Sequence, residues 1–329
     1  MTTTLPLLPI ATLPLAECLL SASAEPHDLA DYQSGVPRWC KGCGDHAILA
    51  ALQRLCRDEG LEPERMIFVS GIGCASRLPH YMNSYGFHGT HGRALPIAEG
   101  VKMARPDLHV FVNTGDGDCC SIGAAHWIHA IRYNMNITVL LHDNHIYGLT
   151  KKQASPTSPL GTRSNTTPRG SYLGAMSPLT VTLGVQSTSF VAQAVDWIPE
   201  SLYQIITAAF RHRGLSFVRI LQRCPEFVGS MFEPWVHDPQ RMLMLTHENG
   251  VQLSPALQKI YRNQIVHDPL DINRAREIAS SEDPIPVGIL YRNPQVPCYE
   301  DLRRAGMLRT TDAIRTSLEA EFDKFTVWP

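Results

Sequence analysis

Two loops with oxygen-bearing side chains follow two apolar runs in the middle of the sequence. The turn GDGD at residues 115–118 comes after the run at 108–112, and Asn144 follows the run at 137–141. Glycines at a strand end let the backbone approach a phosphate, and the helix that follows aims unpaired N–H groups at it. The Asp116 carboxylate and the Asn144 amide oxygen are ligands that Mg²⁺ accepts together with phosphate oxygens. The spacing therefore favours a site for Mg²⁺ and a diphosphate over a solvated turn.

Four cysteines have a spacing that is typical of a metal site. Cys40 and Cys43 form a CxxC pair, Cys74 follows in a later loop, and Cys224 stands directly before a proline. Four thiolates in loops at the ends of strands fit a [4Fe–4S] cluster. A zinc site with four cysteine ligands and a set of four unrelated buried thiols are the alternatives that the spacing leaves open.

The segments around these residues predict the elements that must position them. The predicted strands are residues 66–70, 108–112, 137–141 and 215–221, and the predicted helices are residues 46–57 (with Asp45 as N-cap), 94–104 and 199–212. Strands that alternate with helices of this length are typical of βαβ units. We therefore predict an α/β fold, a mostly parallel twisted sheet with helices on both faces. Ligands bind outside the carboxyl ends of such strands, so the two loops and the cysteines are expected at one edge.

The composition limits the class of protein. The chain has 329 residues, a formal net charge of −2 and 18% charged residues, so nucleic acid and anionic membranes are not expected as partners. No stretch approaches the roughly 18 uninterrupted apolar residues of a membrane span. There are nine cysteines and no secretory signal pattern, which indicates a reducing compartment. We expect the protein in the cytoplasm.

The pattern divides the chain into three parts. Residues 1–35 are irregular and rich in proline, and they predict an arm laid across a partner subunit, with a targeting segment as the alternative. Residues 36–228 contain all the motifs and are predicted to form the binding domain. Residues 229–329 are predicted to be a C-terminal extension that wraps the partner or forms a small cap. Residues 154–176, rich in Ser, Thr, Pro and Gly, predict an ordered lid or a mobile loop.

The segment from GDGD to Asn144 resembles the thiamine diphosphate-binding motif, which begins with GDG and ends in an asparagine. The resemblance implies that Asp116, Asn144 and the main-chain carbonyl of Ile146 hold Mg²⁺. It also implies that Gly115, Gly117 and Asp118 line the diphosphate through their backbone. The cofactor would then supply the difficult chemistry, which is a stabilised carbanion next to a former carbonyl.

The combination of this motif with the cysteines resembles the β subunits of 2-oxoacid:ferredoxin oxidoreductases. The matching stretches span Trp39 to Pro225 and are WCKGCGDHAIL, VSGIGCASRLPHY, FHGTHGRALPIAEGVKMA, GDGD to IYGLTKKQ, and RILQRCP. The resemblance implies that one [4Fe–4S] cluster is bound by Cys40, Cys43, Cys74 and Cys224. Cys119 and Cys120 depart from the family pattern, and we expect them to be thiols packed inside the protein.

The resemblance also assigns further residues to the site. Those implied to contact the cofactor are Gly73, Ser76, Gly148 and Leu149. His88 and His91 are expected to contact substrate or diphosphate, with loop histidines bonded to backbone as the alternative. Arg77 is expected to pair with a second carboxylate of the substrate, with an ordinary surface salt bridge as the alternative.

The resemblance implies a reaction that one chain cannot complete. A thiamine enzyme needs a carboxylate from a pyrimidine-binding domain, so we expect an α subunit that carries it and a heterodimer doubled by symmetry. The run IYGLTKKQASPT is similar to members that act on 2-oxoglutarate or on many 2-oxoacids. The expected reaction converts 2-oxoglutarate and coenzyme A to succinyl-CoA and CO₂, with electrons passed to ferredoxin. Pyruvate or broad 2-oxoacid specificity, a non-oxidative thiamine enzyme, and an electron-transfer subunit without thiamine chemistry are the alternatives.

Overall fold

A nine-stranded sheet organises the computed structural model, which describes residues 27–304 and 311–325. The strands are β1 (Met66–Ser70), β2 (Tyr85–His88), β3 (His109–Gly115), β4 (Ile137–Asp143), the hairpin strands β5 (Ile146–Tyr147) and β6 (Gln153–Ala154), β7 (Phe190–Val195), β8 (Ser216–Leu221), β9 (Met242–Thr246), β10 (Gln264–Val266) and β11 (Ile285–Arg292). Most of the predicted N-terminal arm, residues 1–26, lies outside the described residues.

Helices connect these strands. They are α1 (Asp45–Asp58), α2 (Ala94–Ala104), α3 (Ala124–Tyr133), α4 (Pro178–Leu183), α5 (Pro199–Phe210), α6 (Pro225–Val228), α7 (Glu233–His237), α8 (Pro255–Ile260), α9 (Ile272–Ala279), α10 (Tyr299–Arg304) and α11 (Thr311–Asp323). Short 3₁₀ turns lie at Leu29–Tyr32, Pro63–Arg65, Ala75–Tyr81 and Pro239–Arg241, and a π-helical turn at Asp118–Ile122. No helix in the described ranges is long and apolar enough to cross a membrane.

The large sheet has the strand order β10-β9-β11-β7-β8-β4-β3-β1-β2. Every neighbouring pair is parallel except β11 with β7, which is antiparallel. The central strand β4 is buried along its whole length, as expected for a parallel strand that is covered on both faces. This confirms the prediction of a mostly parallel sheet.

The side chains of the central strands alternate between two apolar layers, because successive residues of a strand point to opposite faces. Phe68 and Phe111 lie in the layer that contains α1 and α5, and their rings stack at 4.8 Å. Val69 and Val112 lie in the opposite layer, against α2 and α3. Helices therefore cover both faces of the sheet, as predicted.

The four predicted strands and three predicted helices all form, with ends shifted by a few residues. The prediction of Asp45 as an N-cap is wrong, because helix α1 begins at that residue and Gly44 is the N-cap. A Cβ atom on Gly44 would lie 2.3 Å from Asp196 Oδ2, so a residue with a side chain does not fit there. The Asp45 carboxylate instead lies in the interior, where it contacts His142.

Strands from the predicted C-terminal extension continue the same sheet. β9 and β10 form one edge, and β11 joins them to β7 of the preceding part of the chain. The boundary near residue 228 and the contact of this region with a partner stay predictions.

Trp127 is expected to be a main contributor to stability on the α3 face of the sheet. Its side chain is 1% exposed and stacks on Phe217 with ring centroids 5.4 Å apart. Trp127→Ala should lower the free energy of unfolding by about 3–5 kcal/mol, because it removes buried contacts and leaves a cavity. Urea denaturation measures this loss, with Tyr172→Ala, whose side chain is 78% exposed, as the control. Equal losses in both variants would contradict the assignment of Trp127 to the core.

Candidate active site

The loops that follow β1, β3, β4 and β8 lie at one edge of the sheet, because these strands are parallel neighbours. They bring Cys74, Asp116, Asn144 and Cys224 together from distant parts of the sequence. Two adjoining cavities open at this edge. Both are lined by Cys74, Asn144, Gly148 and Leu149.

The first cavity, of about 100 Å³, contains the thiamine diphosphate motif and is called the motif cavity below. The predicted site residues that line it are Gly73, Cys74, His91, Gly115, Asp116, Gly117, Asp118, Asn144, Ile146, Gly148 and Leu149. Ser76, Arg77 and His88 do not line it. Ser76 is fully buried, and its carbonyl oxygen lies 2.9 Å from Nδ1 of His88 at the end of β2. The contact of His88 with a backbone carbonyl matches the alternative considered for it.

Asp116 is buried and its Oδ2 atom is surrounded by hydroxyl donors. Ser155 Oγ donates to it, and Thr157 Oγ1 lies 2.8 Å from Asp116 Oδ2 and 2.7 Å from Asp143 Oδ1. Burial and the neighbouring Asp143 carboxylate raise the pKa of Asp116 to about 7, although the hydroxyl groups oppose this. A cation at this carboxylate would offset both effects.

Asp143 shares this interior with an arginine. Burial opposes its ionisation, but Arg219, whose Nε lies 2.7 Å from Asp143 Oδ2, acts together with His145 and a hydrogen bond from Thr157 to lower the pKa of Asp143. Asp143 is therefore paired, whereas Asp116 has hydroxyl partners and no cation among the described residues. Of the two carboxylates, Asp116 is the one suited to bind an added metal ion.

Asn144 is held in one orientation by contacts on both sides of its amide. Its Oδ1 accepts from Ile146 N at 3.1 Å, and its Nδ2 donates to Gln222 Oε1 at 2.9 Å. Asn144 lines the motif cavity together with Asp116 and Ile146, and these are the three residues predicted to hold Mg²⁺. An oxygen donor set of this type suits a hard divalent cation.

Gly117 is required for a second reason besides close approach to a phosphate. A Cβ atom on Gly117 would lie 2.1 Å from Cε1 of Tyr147, so the ring leaves no space for a side chain. The Tyr147 hydroxyl also donates to the Gly117 carbonyl at 3.0 Å. The ring therefore fixes the turn against the β5–β6 hairpin.

The Asp118 side chain joins three loops. Its Oδ1 accepts from Ile72 N at 3.1 Å and Gly92 N at 2.7 Å, and it also contacts Nδ1 of His91. Its Oδ2 accepts from Thr114 Oγ1 at 2.8 Å. Asp118 was expected to act through its backbone, and the structure adds a side chain that positions His91 in the motif cavity.

The second cavity, of about 250 Å³, is lined by all four predicted cluster cysteines and is called the thiol cavity below. Its wall also contains Arg38, Arg77 and Lys151. A Cβ atom on Gly148 would lie 3.5 Å from Cys74 Sγ and 3.9 Å from Cys224 Sγ, so this glycine lies next to both sulfurs.

Burial keeps the thiols of Cys43, Cys74 and Cys224 protonated in the absence of a metal. It raises the pKa of Cys74 to about 12, with smaller contributions from Asp45, Cys224 and Cys40, and it also raises the pKa values of Cys43 and Cys224. Among the described residues, no three His, Cys, Asp or Glu side chains lie close enough together to hold a single metal ion. Cys119 and Cys120 are buried away from this cavity's lining.

Several residues of the site carry no signal in the sequence. Thr157 and Gln222 contact residues of the motif that are 41 and 78 positions away. His142 is fully buried and its Nδ1 lies 2.6 Å from Asp45 Oδ1, across 97 positions. The motif itself could have suggested only that buried polar partners must exist, since buried polar groups need hydrogen bonds.

Comparisons with known proteins agree with this geometry. Residues 71–220 match the family model "Thiamine pyrophosphate enzyme, C-terminal TPP binding domain". Residues 257–305 match the family model of the C-terminal part of the pyruvate ferredoxin oxidoreductase beta subunit. The sheet and the motif cavity therefore define a thiamine pyrophosphate-binding domain.

Similar proteins define the family within the thiamine pyrophosphate-binding proteins. The 2-oxoglutarate oxidoreductase subunit KorB of Mycobacterium tuberculosis is 38% identical over 84% of this chain and 80% of its own length. A 2-oxoacid:ferredoxin oxidoreductase β subunit of Aeropyrum pernix is 36% identical over 80% of this chain and 82% of its own. The solved 2-oxoglutarate:ferredoxin oxidoreductase from Magnetococcus marinus, with 2-oxoglutarate, coenzyme A and succinyl-CoA bound, superposes with a TM-score of 0.76 at 33% identity, over 91% of this chain and 97% of that chain. The chain belongs to the family of 2-oxoacid:ferredoxin oxidoreductase β subunits, which confirms the resemblance.

Proposed function

We propose that this chain and an α subunit together catalyse the coenzyme A-dependent oxidative decarboxylation of 2-oxoglutarate to succinyl-CoA and CO₂, and pass the electrons through a [4Fe–4S] cluster to ferredoxin. The observation that carries the proposal is the shared wall of the motif cavity and the thiol cavity. A carbon centre that is oxidised in the first cavity would lie next to an electron acceptor in the second. The reducing conditions of the cytoplasm suit the cysteines, and we propose that location.

The motif cavity fits Mg²⁺ and thiamine diphosphate. Asp116 would supply a carboxylate oxygen, Asn144 its amide oxygen and Ile146 its carbonyl oxygen, and the diphosphate would complete the shell. Gly115, Gly117 and the start of the turn at Asp118–Ile122 leave backbone N–H groups for the phosphates. When bound, the cofactor supplies a nucleophilic carbanion and then stabilises negative charge at the former carbonyl carbon.

The thiol cavity fits a cluster better than a zinc ion. Zinc needs four ligands that converge on one point at about 2.3 Å from each sulfur. The four cysteines are among the residues that line a space of about 250 Å³, and no three metal-ligating side chains of the described residues form a single-ion site. Both points support a cluster that itself occupies volume between its ligands. We propose Cys40, Cys43, Cys74 and Cys224 as its ligands.

Substrate and partner follow from the relatives and from the charges at the site. The relatives from Mycobacterium tuberculosis and Magnetococcus marinus are named for 2-oxoglutarate, a dicarboxylate. Arg77 is only partly buried in the wall of the thiol cavity, where its guanidinium could pair with a second carboxylate. His91, held by Asp118, is the other side chain that we propose to contact substrate or cofactor. The α subunit would provide the pyrimidine-binding domain, in a heterodimer doubled by symmetry.

The proposed function predicts a brown complex that responds to two substrates together. The complex, purified anaerobically with its partner subunit, should contain about four iron atoms per β chain. Its visible absorption should bleach when 2-oxoglutarate and coenzyme A are both added, and it should recover when oxidised ferredoxin follows. Each substrate alone and pyruvate with coenzyme A are the controls.

Other outcomes would favour the alternatives. A colourless complex with stoichiometric zinc would contradict the redox proposal. Faster bleaching with pyruvate would retain the enzyme class and change the substrate. Iron without any thiamine diphosphate would indicate an electron-transfer subunit.

A further inference from the structure

Gln222 lies between the two proposed metal sites and contacts a ligand of each. Its side chain is 1% exposed and follows β8, two residues before Cys224. Its Oε1 accepts from Asn144 Nδ2 at 2.9 Å, and its Nε2 lies 3.2 Å from Cys43 Sγ. Nε2 also donates to the Arg223 carbonyl, so both of its hydrogens have acceptors.

Two backbone groups, Ile146 N and the Arg223 carbonyl, fix the direction of these hydrogen bonds. Ile146 N can only donate, so the atom of Asn144 that faces it is Oδ1, and Nδ2 therefore faces Gln222. The Arg223 carbonyl can only accept, so it faces Nε2 of Gln222 and leaves Oε1 for Asn144. The second N–H of Gln222 is thereby directed at Cys43 Sγ. No flip of either amide satisfies all four contacts.

We propose that Gln222 is a positioning residue that orients Asn144 for Mg²⁺ and, through its N–H group, raises the reduction potential of the [4Fe–4S] cluster at Cys43. The inference rests on the proposed function, since it requires a cluster in the thiol cavity. An N–H group beside a cluster thiolate stabilises the reduced and more negative state. Partners that orient metal ligands typically change metal affinity 10–100-fold when they are removed.

This arrangement couples the two sites through one side chain. Loss of the amide would release Asn144 from its fixed orientation and remove a donor from Cys43 in the same step. Asp45 Oδ2, 3.5 Å from Cys43 Sγ, is a negative neighbour and would remain. The sulfur would then be left with a carboxylate neighbour and without the amide donor, which favours the oxidised cluster.

Two variants separate the contacts of Gln222. Gln222→Met preserves the length of the side chain and removes its hydrogen bonds to Asn144, Cys43 and the Arg223 carbonyl. Gln222→Glu retains an oxygen for Asn144 Nδ2 and has no N–H group for Cys43. The control is Gln53→Met, which removes a buried glutamine of α1 whose Nε2 donates to the Tyr81 carbonyl, away from both cavities.

The experiment uses the complex purified anaerobically with its partner subunit. Iron content, the midpoint potential of the cluster in an electron paramagnetic resonance titration, and the Mg²⁺ concentration for half-retention of thiamine diphosphate are measured for each form. Gln222→Met should contain wild-type iron, titrate at a lower potential and need at least about tenfold more Mg²⁺. Gln222→Glu should also titrate at a lower potential and have nearly the Mg²⁺ requirement of the wild type. Gln53→Met should match the wild type in all three measurements.

Two results would overturn the proposal in different ways. Iron-loaded Gln222 variants with the wild-type potential and Mg²⁺ requirement would overturn it and leave the proposed function intact. A wild-type complex without iron would overturn the proposed function and this inference with it. If Gln222→Met does not fold, the potential of iron-loaded Gln222→Glu decides, and an unshifted value overturns the proposal.

Discussion

Asp116→Ala should abolish the retention of thiamine diphosphate while the cluster remains. The Mg²⁺ affinity should fall by at least about 100-fold, because removal of a charged ligand costs more than the 10–100-fold that is typical of an orienting partner. The protein should still fold, because the change removes a carboxylate whose ionisation is opposed by its burial and by the charge of Asp143. These two effects raise the pKa of Asp116. Thr157 would keep its contact with Asp143 at 2.7 Å.

Three measurements test this prediction on one preparation. Thiamine diphosphate retained after gel filtration should fall to background, iron per chain should equal that of the wild type, and 2-oxoglutarate with coenzyme A should no longer bleach the complex. Asp107→Ala is the matched control, because this carboxylate lies just before β3 and forms an exposed pair with Arg105. Normal cofactor retention in Asp116→Ala would show that the metal lies elsewhere.

The parallel core of the fold could be predicted because its strands are apolar runs that end in glycine-containing loops. β1 and β4 are buried along their whole length, and most of their residues are apolar. The sequence does not predict β2, whose four residues are all exposed at the edge of the sheet and show no alternation. It does not predict β7 either, because Gln193 interrupts the apolar run of that strand.

Gln193 shows why the sequence pattern does not predict strand β7. The residue is buried, and its Nε2 donates to the Pro286 carbonyl at 2.8 Å, across 93 positions. The partner that makes a polar residue acceptable in a buried strand therefore comes from β11, in the part of the chain where the pattern is weakest. Long-range pairing of this kind cannot be deduced from local periodicity.

The residues of the candidate site also fall into a group that can be recognised in the sequence and a group that cannot. The residues proposed to bind a metal are recognisable in the sequence because Mg²⁺ and iron–sulfur clusters restrict the types and spacing of their ligands, and their role stays a prediction. The residues that orient those ligands, such as Thr157 and Gln222, could not. A hydroxyl or an amide can meet a carboxylate or an asparagine from any position that the fold brings near.

Cys224→Ala should have the opposite effect to Asp116→Ala. The iron content should fall from about four atoms per chain to a small residual amount, because a [4Fe–4S] cluster requires all four thiolates. Ferredoxin reduction should fall to background, whereas Mg²⁺-dependent retention of thiamine diphosphate should persist, since Cys224 does not line the motif cavity. Cys224 is the most informative of the four, because it is supplied by the loop after β8, far from the other three cysteines in sequence.

Cys56→Ala is the control for loss of a buried thiol. Cys56 is fully buried in α1 and lines neither cavity, so its variant should keep iron, colour and cofactor. Full iron content in Cys224→Ala would exclude Cys224 as a ligand and require another donor in the thiol cavity. If the two variants Asp116→Ala and Cys224→Ala each lose one cofactor and retain the other, the chain contains two separable sites. Their shared wall, which includes Asn144 and Gly148, would then separate the site of substrate oxidation from the electron acceptor.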